Sequence, residues 1–363
     1  MMRTMKPNHF PRAGRAAGMR GFTLVELMIG MTIGLIVLLG LTVFFSYNSR
    51  NQHDLERSIG RLENARFALD TLTEDLLHAG YYAQHVPANA TTYQAIVPCP
   101  EPLIPPNPDN PWNLGWNAAA TRMPPAVQGF MADEDDGTQD CLTGLRDKVD
   151  KTELITVTHA ETGDPDPDLR DETKTTDLYI QTKGADANTL ATSCAPDPQV
   201  IVATGPASNF VLKNAACDTF KNVHRLSQRT YFLSKCNDCT NNDGIPSLKR
   251  VERIGGSFVV NTVAEGVEQL QFEYGVDTDG DGQVDEVLPF AGITAVDPYE
   301  WRNVMAVRVH MLTRSSLPDP GHKEERSFQM GALTLTPADL PSGFKRTLLT
   351  TTVPLTNVTG RRE

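Results

Sequence analysis

Two groups of residues in this 363-residue chain have the types and spacing for chemistry. The first is a lone carboxylate, Glu26, in the run Arg20-Gly21-Phe22-Thr23-Leu24-Val25-Glu26; it is the only charge between Phe22 and Phe45. An ionised carboxylate at membrane depth costs about 2.5–3.5 kcal/mol on insertion, so it needs a function and a partner. A plainer reading is a first-turn acid favoured by the helix dipole. Cleavage between Gly21 and Phe22 joins the two readings. Phe22 would gain an ammonium group, and Glu26 would lie about 6 Å further along the helix.

The second group is Asp277-Thr278-Asp279-Gly280-Asp281-Gly282-Gln283-Val284-Asp285-Glu286. Carboxylates at loop positions 1, 3, 5 and 9 with glycine at position 6 suit a hard cation such as Ca2+. Gln283 would supply a backbone carbonyl, and Glu286 a substitute carboxylate. Leu288 stands at position 12, where a helix-loop-helix calcium site has a bidentate glutamate, so that sensor architecture is excluded. The competing reading is an acidic hairpin turn, because Asp-Gly pairs form turns readily.

Six cysteines, Cys99, Cys141, Cys194, Cys217, Cys236 and Cys239, all follow the apolar segment. An even number in an oxidising compartment favours disulfides; sequence leaves the pairing open, and the working expectation is 99–141, 194–217 and 236–239. A redox role for Cys236-Asn237-Asp238-Cys239 would need a helix N-terminus, but turn-forming residues follow. Zinc would need two further ligands at a recognisable spacing. A structural disulfide is expected. Hydrolase, zinc-protease, P-loop and dinucleotide motifs are missing from the sequence, and neither Ser257 nor His310 sits in a catalytic context. No catalytic residue is expected, and the chain is read as a non-enzyme.

These residues need elements to hold them. Residues 22–45 are long enough to cross a hydrocarbon core, which takes about 20 residues. Residues 1–21 hold five cations and no acid, so this leader should stay cytoplasmic and everything beyond the anchor should reach the periplasm. No proline occurs from 22 to 86, and Leu55, Ile59, Leu62, Leu69 and Leu76 recur at helical spacing. One helix is therefore expected from Thr23 to about Ala79, apolar all round to residue 47 and amphipathic over 48–80, with Gly80 as its C-cap. Gly30 and Gly34 form a small-x-x-x-small pair that permits close helix approach.

Ten prolines between 87 and 125 exclude a long helix there, and 81–148 is expected to be irregular. Strand-like runs follow at 154–159, 176–182, 228–235, 257–263, 267–276, 304–313, 328–335 and 348–355. One long helix followed by many strands reads as an α+β fold with a mainly antiparallel sheet, the helix packed on a β-rich domain over 149–363. The net charge is −12, and losing the basic leader makes the remainder more acidic still, which argues against nucleic acid as a partner of the soluble part.

The run Gly21-Phe22-Thr23-Leu24-Val25-Glu26-Leu27 resembles the class III signal of type IV pilins and type II secretion pseudopilins. Residues 60–69, 75–81, 267–277 and 347–355 narrow the resemblance to the PilW family of minor pilins. It implies cleavage after Gly21 by prepilin peptidase, N-methylation of Phe22, and a role for Glu26 in neutralising the N-terminus as subunits dock. The implied partners are other minor pilins, the major pilin and the inner membrane. A J-type pseudopilin of type II secretion is the near alternative. A membrane-anchored periplasmic calcium-dependent hydrolase or binding protein is the alternative from a different class.

Overall fold

The structure is a computed structural model that describes residues 21, 23–87, 92–94, 96, 114–117, 120–132, 147–162, 176–182, 200–214, 217–254, 257–293, 298–319 and 321–359. By contacts the chain divides into residues 1–56 and 57–363, and each unit is described by itself.

Helix α1 (Leu24–His78) begins in the first unit. Its stretch Leu24–Ser49 has a mean hydropathy of 2.5 and is long and apolar enough to cross a membrane. Large apolar side chains are exposed on all sides there, as in a helix made for an apolar surrounding. The hydroxyls of Thr32 and Thr42 fold back to donate to the carbonyls of Met28 and Ile29, and of Leu38 and Leu39. These polar groups are thus satisfied without water.

The second unit holds the remaining turns of α1 and the strands β1 (Thr92–Tyr93), β2 (Arg122–Met123), β3 (Val127–Met131), β4 (Glu153–Ala160), β5 (Leu178–Thr182), β6 (Val200–Thr204), β7 (Val223–Ser234), β8 (Ser247–Ile254), β9 (Ser257–Glu265), β10 (Val267–Val276), β11 (Glu286–Pro289), β12 (Val304–Arg314), β13 (Phe328–Met330), β14 (Leu333–Leu335) and β15 (Arg346–Pro354). Short helices α2 (Pro298–Trp301) and α3 (Thr356–Thr359) flank β12 and β15. One sheet runs β11-β10-β12-β15; the larger runs β3-β4-β7-β5-β6, with β8 added on β7 and β9 on β8. Every pair in both sheets is antiparallel. The layout is α+β and pilin-like.

Ala68, Leu72, Leu76 and Ala79 of α1 share one core with Ile155 and Val157 of β4, Tyr231 and Leu233 of β7, Leu270 and Phe272 of β10, and Val307 and Val309 of β12. Both sheets therefore contribute to the core that the helix covers. The helix ends at His78, and Gly80 adopts φ 74°, the left-handed conformation expected of a C-terminal glycine.

Three expectations need correction. The core stripe of α1 is built on Ala65, Ala68, Leu72 and Leu76, whereas Ile59 and Leu62 are exposed. Alanines bring the helix backbone close to the sheet, and a search for leucines overlooks them. Within 81–148, expected to be irregular, β3 forms an ordinary five-residue strand on β4. The run 328–335 is a hairpin rather than one strand, turning at Gly331 with φ 61°.

Candidate functional site

At the start of α1, Glu26 is tied to Thr23 in both directions. The Thr23 amide and hydroxyl donate to Glu26 Oε2 at 3.0 and 2.9 Å, and the Glu26 amide donates to Thr23 Oγ1 at 3.2 Å. This is a capping box, which satisfies amides that the first helical turn leaves orphaned. Its signature, Thr-x-x-Glu, is written in residues 23–26, where only a first-turn acid was expected. The arrangement fixes the Glu26 carboxylate toward the start of the chain, while Oε1 makes no hydrogen bond among the described residues. Gly21 is exposed, and Phe22 lies outside the described residues.

In the second unit, α1 carries a second apolar stripe. Ile59, Leu62, Phe67 and Leu77 are 56, 39, 60 and 41% exposed. Ile59 and Leu77 are five turns apart and share a face, whereas buried Ala68 lies two and a half turns from Ile59, on the opposite side. One face is spent on the domain's own core. The other presents apolar side chains that the described residues leave open.

The acidic loop closes the hairpin between β10 and β11, with Val276 paired to Glu286. Asp277 is buried, and its two oxygens accept the amides of Gly280 at 2.6 Å and Gly282 at 3.0 Å. Asp285 accepts both the amide and the hydroxyl of Thr278 at 2.8 Å, and these bonds lower its pKa. Gly282, at position 6, has φ 85°, which lets the chain fold back over Asp277. Oxygens of Asp277, Asp279 and Asp285 lie within 4.8 Å of one another. Asp281 stands apart from that trio, its carboxylate taking the amide and side chain of Gln283, and Glu286 is an exposed member of β11. Of the six residues expected to hold calcium, the loop gathers three.

Residues 17–42 match the family model of the prokaryotic N-terminal methylation motif, and residues 230–357 match that of type IV pilus-assembly protein W. Together the two matches support a PilW-like type IV pilin. No curated protein and no solved structure matched the chain. The W match runs from within β7 to the start of α3 and takes in the whole four-stranded sheet and the acidic loop.

The pilin's cysteines are placed only in part. Cys236 and Cys239 are bonded to each other, as expected. They staple the β7–β8 connection, where Asp243 also accepts the amides of Asn237, Asp238 and Ile245. The Asp147 carboxylate reaches both sulfurs, but metal binding needs thiolates, and these sulfurs are in a disulfide. Cys217 is disulfide-bonded. Its expected partner Cys194 lies outside the described residues, as do Cys99 and Cys141.

Sequence reasoning missed the buried polar contacts between helix and sheets. Asp75, buried on α1, accepts from Arg229 Nη1 at 2.6 Å and from the Tyr231 hydroxyl. Arg229 continues to Glu252 at 3.3 Å, and Glu252 also receives Arg225 at 3.2 Å. Burial alone would lower the Arg229 pKa; the charges of Asp75 and Glu252 outweigh it and raise the pKa. Beside them, burial lowers the pKa of His159, whose Nε2 stands 3.9 Å from Asp75. Elsewhere the buried Arg346 grips Glu268 through two nitrogens at 2.6 and 3.0 Å. Asp75 sits at the end of a helical stripe and Arg229 in an alternating strand, so their types alone mark them as surface residues.

Proposed function

We propose that this chain is a minor pilin: a non-catalytic subunit, processed by prepilin peptidase between Gly21 and Phe22, that joins the complex initiating or capping a type IV pilus. The observation that carries the reading is the Glu26 carboxylate, held by its capping box at the first turn of an apolar helix, next to the point where a new ammonium would appear. That ammonium, on this subunit's Phe22 or on a neighbour's, is the partner an intramembrane carboxylate requires. The outward apolar stripe of α1 supports the same reading, since a second subunit would remove it from water. A family match to a pilus-assembly protein favours the pilus over the secretion system. The domain following the helix is proposed to face the periplasm, with other minor pilins and the major pilin as neighbours.

N-terminal mass analysis of the membrane-extracted protein tests the processing step. A mature chain starting at N-methyl-phenylalanine is expected, and a chain that keeps Arg20 and Gly21 would overturn the proposal. Glu26→Ala should be cleaved as usual yet reduce surface pili at least tenfold; unchanged piliation would remove Glu26 from docking.

We further propose that the 277–285 loop binds Ca2+ through Asp277, Asp279 and Asp285, with Asp281 and the Gln283 carbonyl completing an oxygen-rich shell and Glu286 left outside it. Carboxylate oxygens have several lone pairs, so the amide bonds to Asp277 leave it able to coordinate. Calorimetric titration of the full-length protein with Ca2+ should show binding that Asp279→Ala abolishes. Absence of heat with the unaltered protein would return the loop to a plain hairpin turn.

A further inference from the structure

A cavity of about 400 Å³ opens beside the C-terminal end of α1, within the range of small-ligand pockets. We propose that it is a binding site for an acidic saccharide, one whose ring bears a carboxylate, such as a uronic acid unit. Three properties of its lining point to that chemistry.

The first is charge. Lys221 and His224 line the cavity, and no carboxylate does among the described residues, in a chain where acids outnumber Lys and Arg by 45 to 33. Asp218, in the same loop, is engaged by the Asn214 side-chain amide at 2.7 Å. The second is the hydrogen-bonding inventory. Gln84 and Asn222 carry both donors and acceptors, as vicinal hydroxyls demand. The third is an aromatic wall. Tyr81 and Phe220 line the cavity, Phe220 is 41% exposed, and Lys213 caps its ring at 5.2 Å. An aromatic face suits the apolar C–H face of a pyranose while the Lys221 ammonium matches its carboxylate.

The walls are built rather than incidental. Gln181, fully buried in β5, accepts the Leu212 amide at 3.0 Å and donates to the carbonyls of Leu212 at 3.3 Å and Lys221 at 2.8 Å. The Lys221 amide returns to the Leu212 carbonyl at 2.9 Å. One buried side chain thus fixes both limbs of the loop that carries Lys213, Phe220 and Lys221, and Cys217 of the same loop is disulfide-bonded. On the opposite wall, the Tyr81 carbonyl accepts the Ala160 amide, and His224 is held by a 3.1 Å contact from Nδ1 to the Glu161 carbonyl. Preorganised walls spare a ligand the entropy of ordering them.

Titration calorimetry on the full-length pilin in detergent, with an α-1,4-linked galacturonic acid trisaccharide and the neutral galactose trisaccharide of the same linkage, tests this. The acidic sugar should bind at least tenfold more tightly than the neutral one. Lys221→Gln should erase that preference while leaving thermal melting unchanged, and Phe220→Ala should weaken both sugars at least fivefold. Equal affinity for the two sugars, insensitivity to Lys221→Gln, tighter binding of a ten-residue oligothymidylate, or no binding of either sugar would each overturn the proposal. Processing at Gly21 and piliation are read separately, so failure here is distinct from failure of the pilin assignment.

Discussion

Replacing Asp75 with alanine is expected to destabilise the 57–363 unit by about 3–5 kcal/mol, the cost of removing one partner from a buried ion pair. That is a large fraction of the roughly 5–15 kcal/mol that holds a domain folded. The carboxylate reaches from α1 to β7, where the Arg229 guanidinium and the Tyr231 hydroxyl both end on it. Without it, Arg229 keeps, among the described residues, only the acids at its other end, and a fully buried phenol loses its acceptor. The ranking within a series tests the cause. Asp75→Asn keeps an acceptor oxygen and should cost less; Tyr231→Phe removes a donor together with its need and should cost about 1 kcal/mol. Chemical denaturation of the full-length protein can be followed through the buried Trp116 and Trp301. Equal losses for Asp75→Ala and Tyr231→Phe would mean that the charge contributes nothing beyond a hydrogen bond.

This network also marks where sequence reading stopped. Period-2 runs of β-branched and aromatic residues located β10 and β12 almost to the residue, because Leu270, Phe272 and Tyr274 of the one and Val307, Val309 and Met311 of the other alternate into the core shared with the helix. β8 escaped notice: Ser247-Leu248-Lys249-Arg250-Val251-Glu252-Arg253-Ile254 reads as charged surface, yet it lies between β7 and β9, and Glu252 is buried among arginines. Charges that neutralise one another across strands carry no periodic signature in a single segment. The short β11 was missed for another reason, since its pairing is dictated by the turn before it rather than by its own residues. At the N-terminus a local rule would have sufficed. Thr23 and Glu26 are three apart, and the capping box needs nothing from the rest of the chain. The acidic loop falls between: spacing identified it as oxygen-rich, but only the backbone path separates the clustered Asp277, Asp279 and Asp285 from Asp281 and Glu286. The cavity beside α1 was invisible in sequence because its walls come from residues 81, 83, 84, 182, 214, 219–222 and 224, which share no motif.

Glu153 should make the pilin lose stability as pH rises, and Glu153→Gln should remove that loss. The first residue of β4, Glu153 is buried, and its Oε2 accepts the Phe272 amide at 3.1 Å along the stretch of β10 that β11 leaves uncovered. Burial pushes its pKa up to about 8, against the lowering effect of that amide and with a further push from Glu273. The folded state therefore holds a proton that the unfolded chain releases near pH 4.5. A raised carboxyl pKa stabilises the fold fully below the unfolded value, and the contribution is lost progressively as pH climbs toward the folded one. A gap of one pH unit between the folded and unfolded pKa corresponds to about 1.4 kcal/mol, so the loss between pH 5 and pH 8 is on the order of several kcal/mol. Glutamine keeps an acceptor for the Phe272 amide and has no proton to release. Wild type and Glu153→Gln should thus be similar at pH 5, with the variant several kcal/mol more stable at pH 8. Other carboxylates titrate in both proteins and cancel in the difference. Parallel denaturation midpoints for the two proteins from pH 5 to 8 would show that Glu153 is ionised in the fold and that water reaches it.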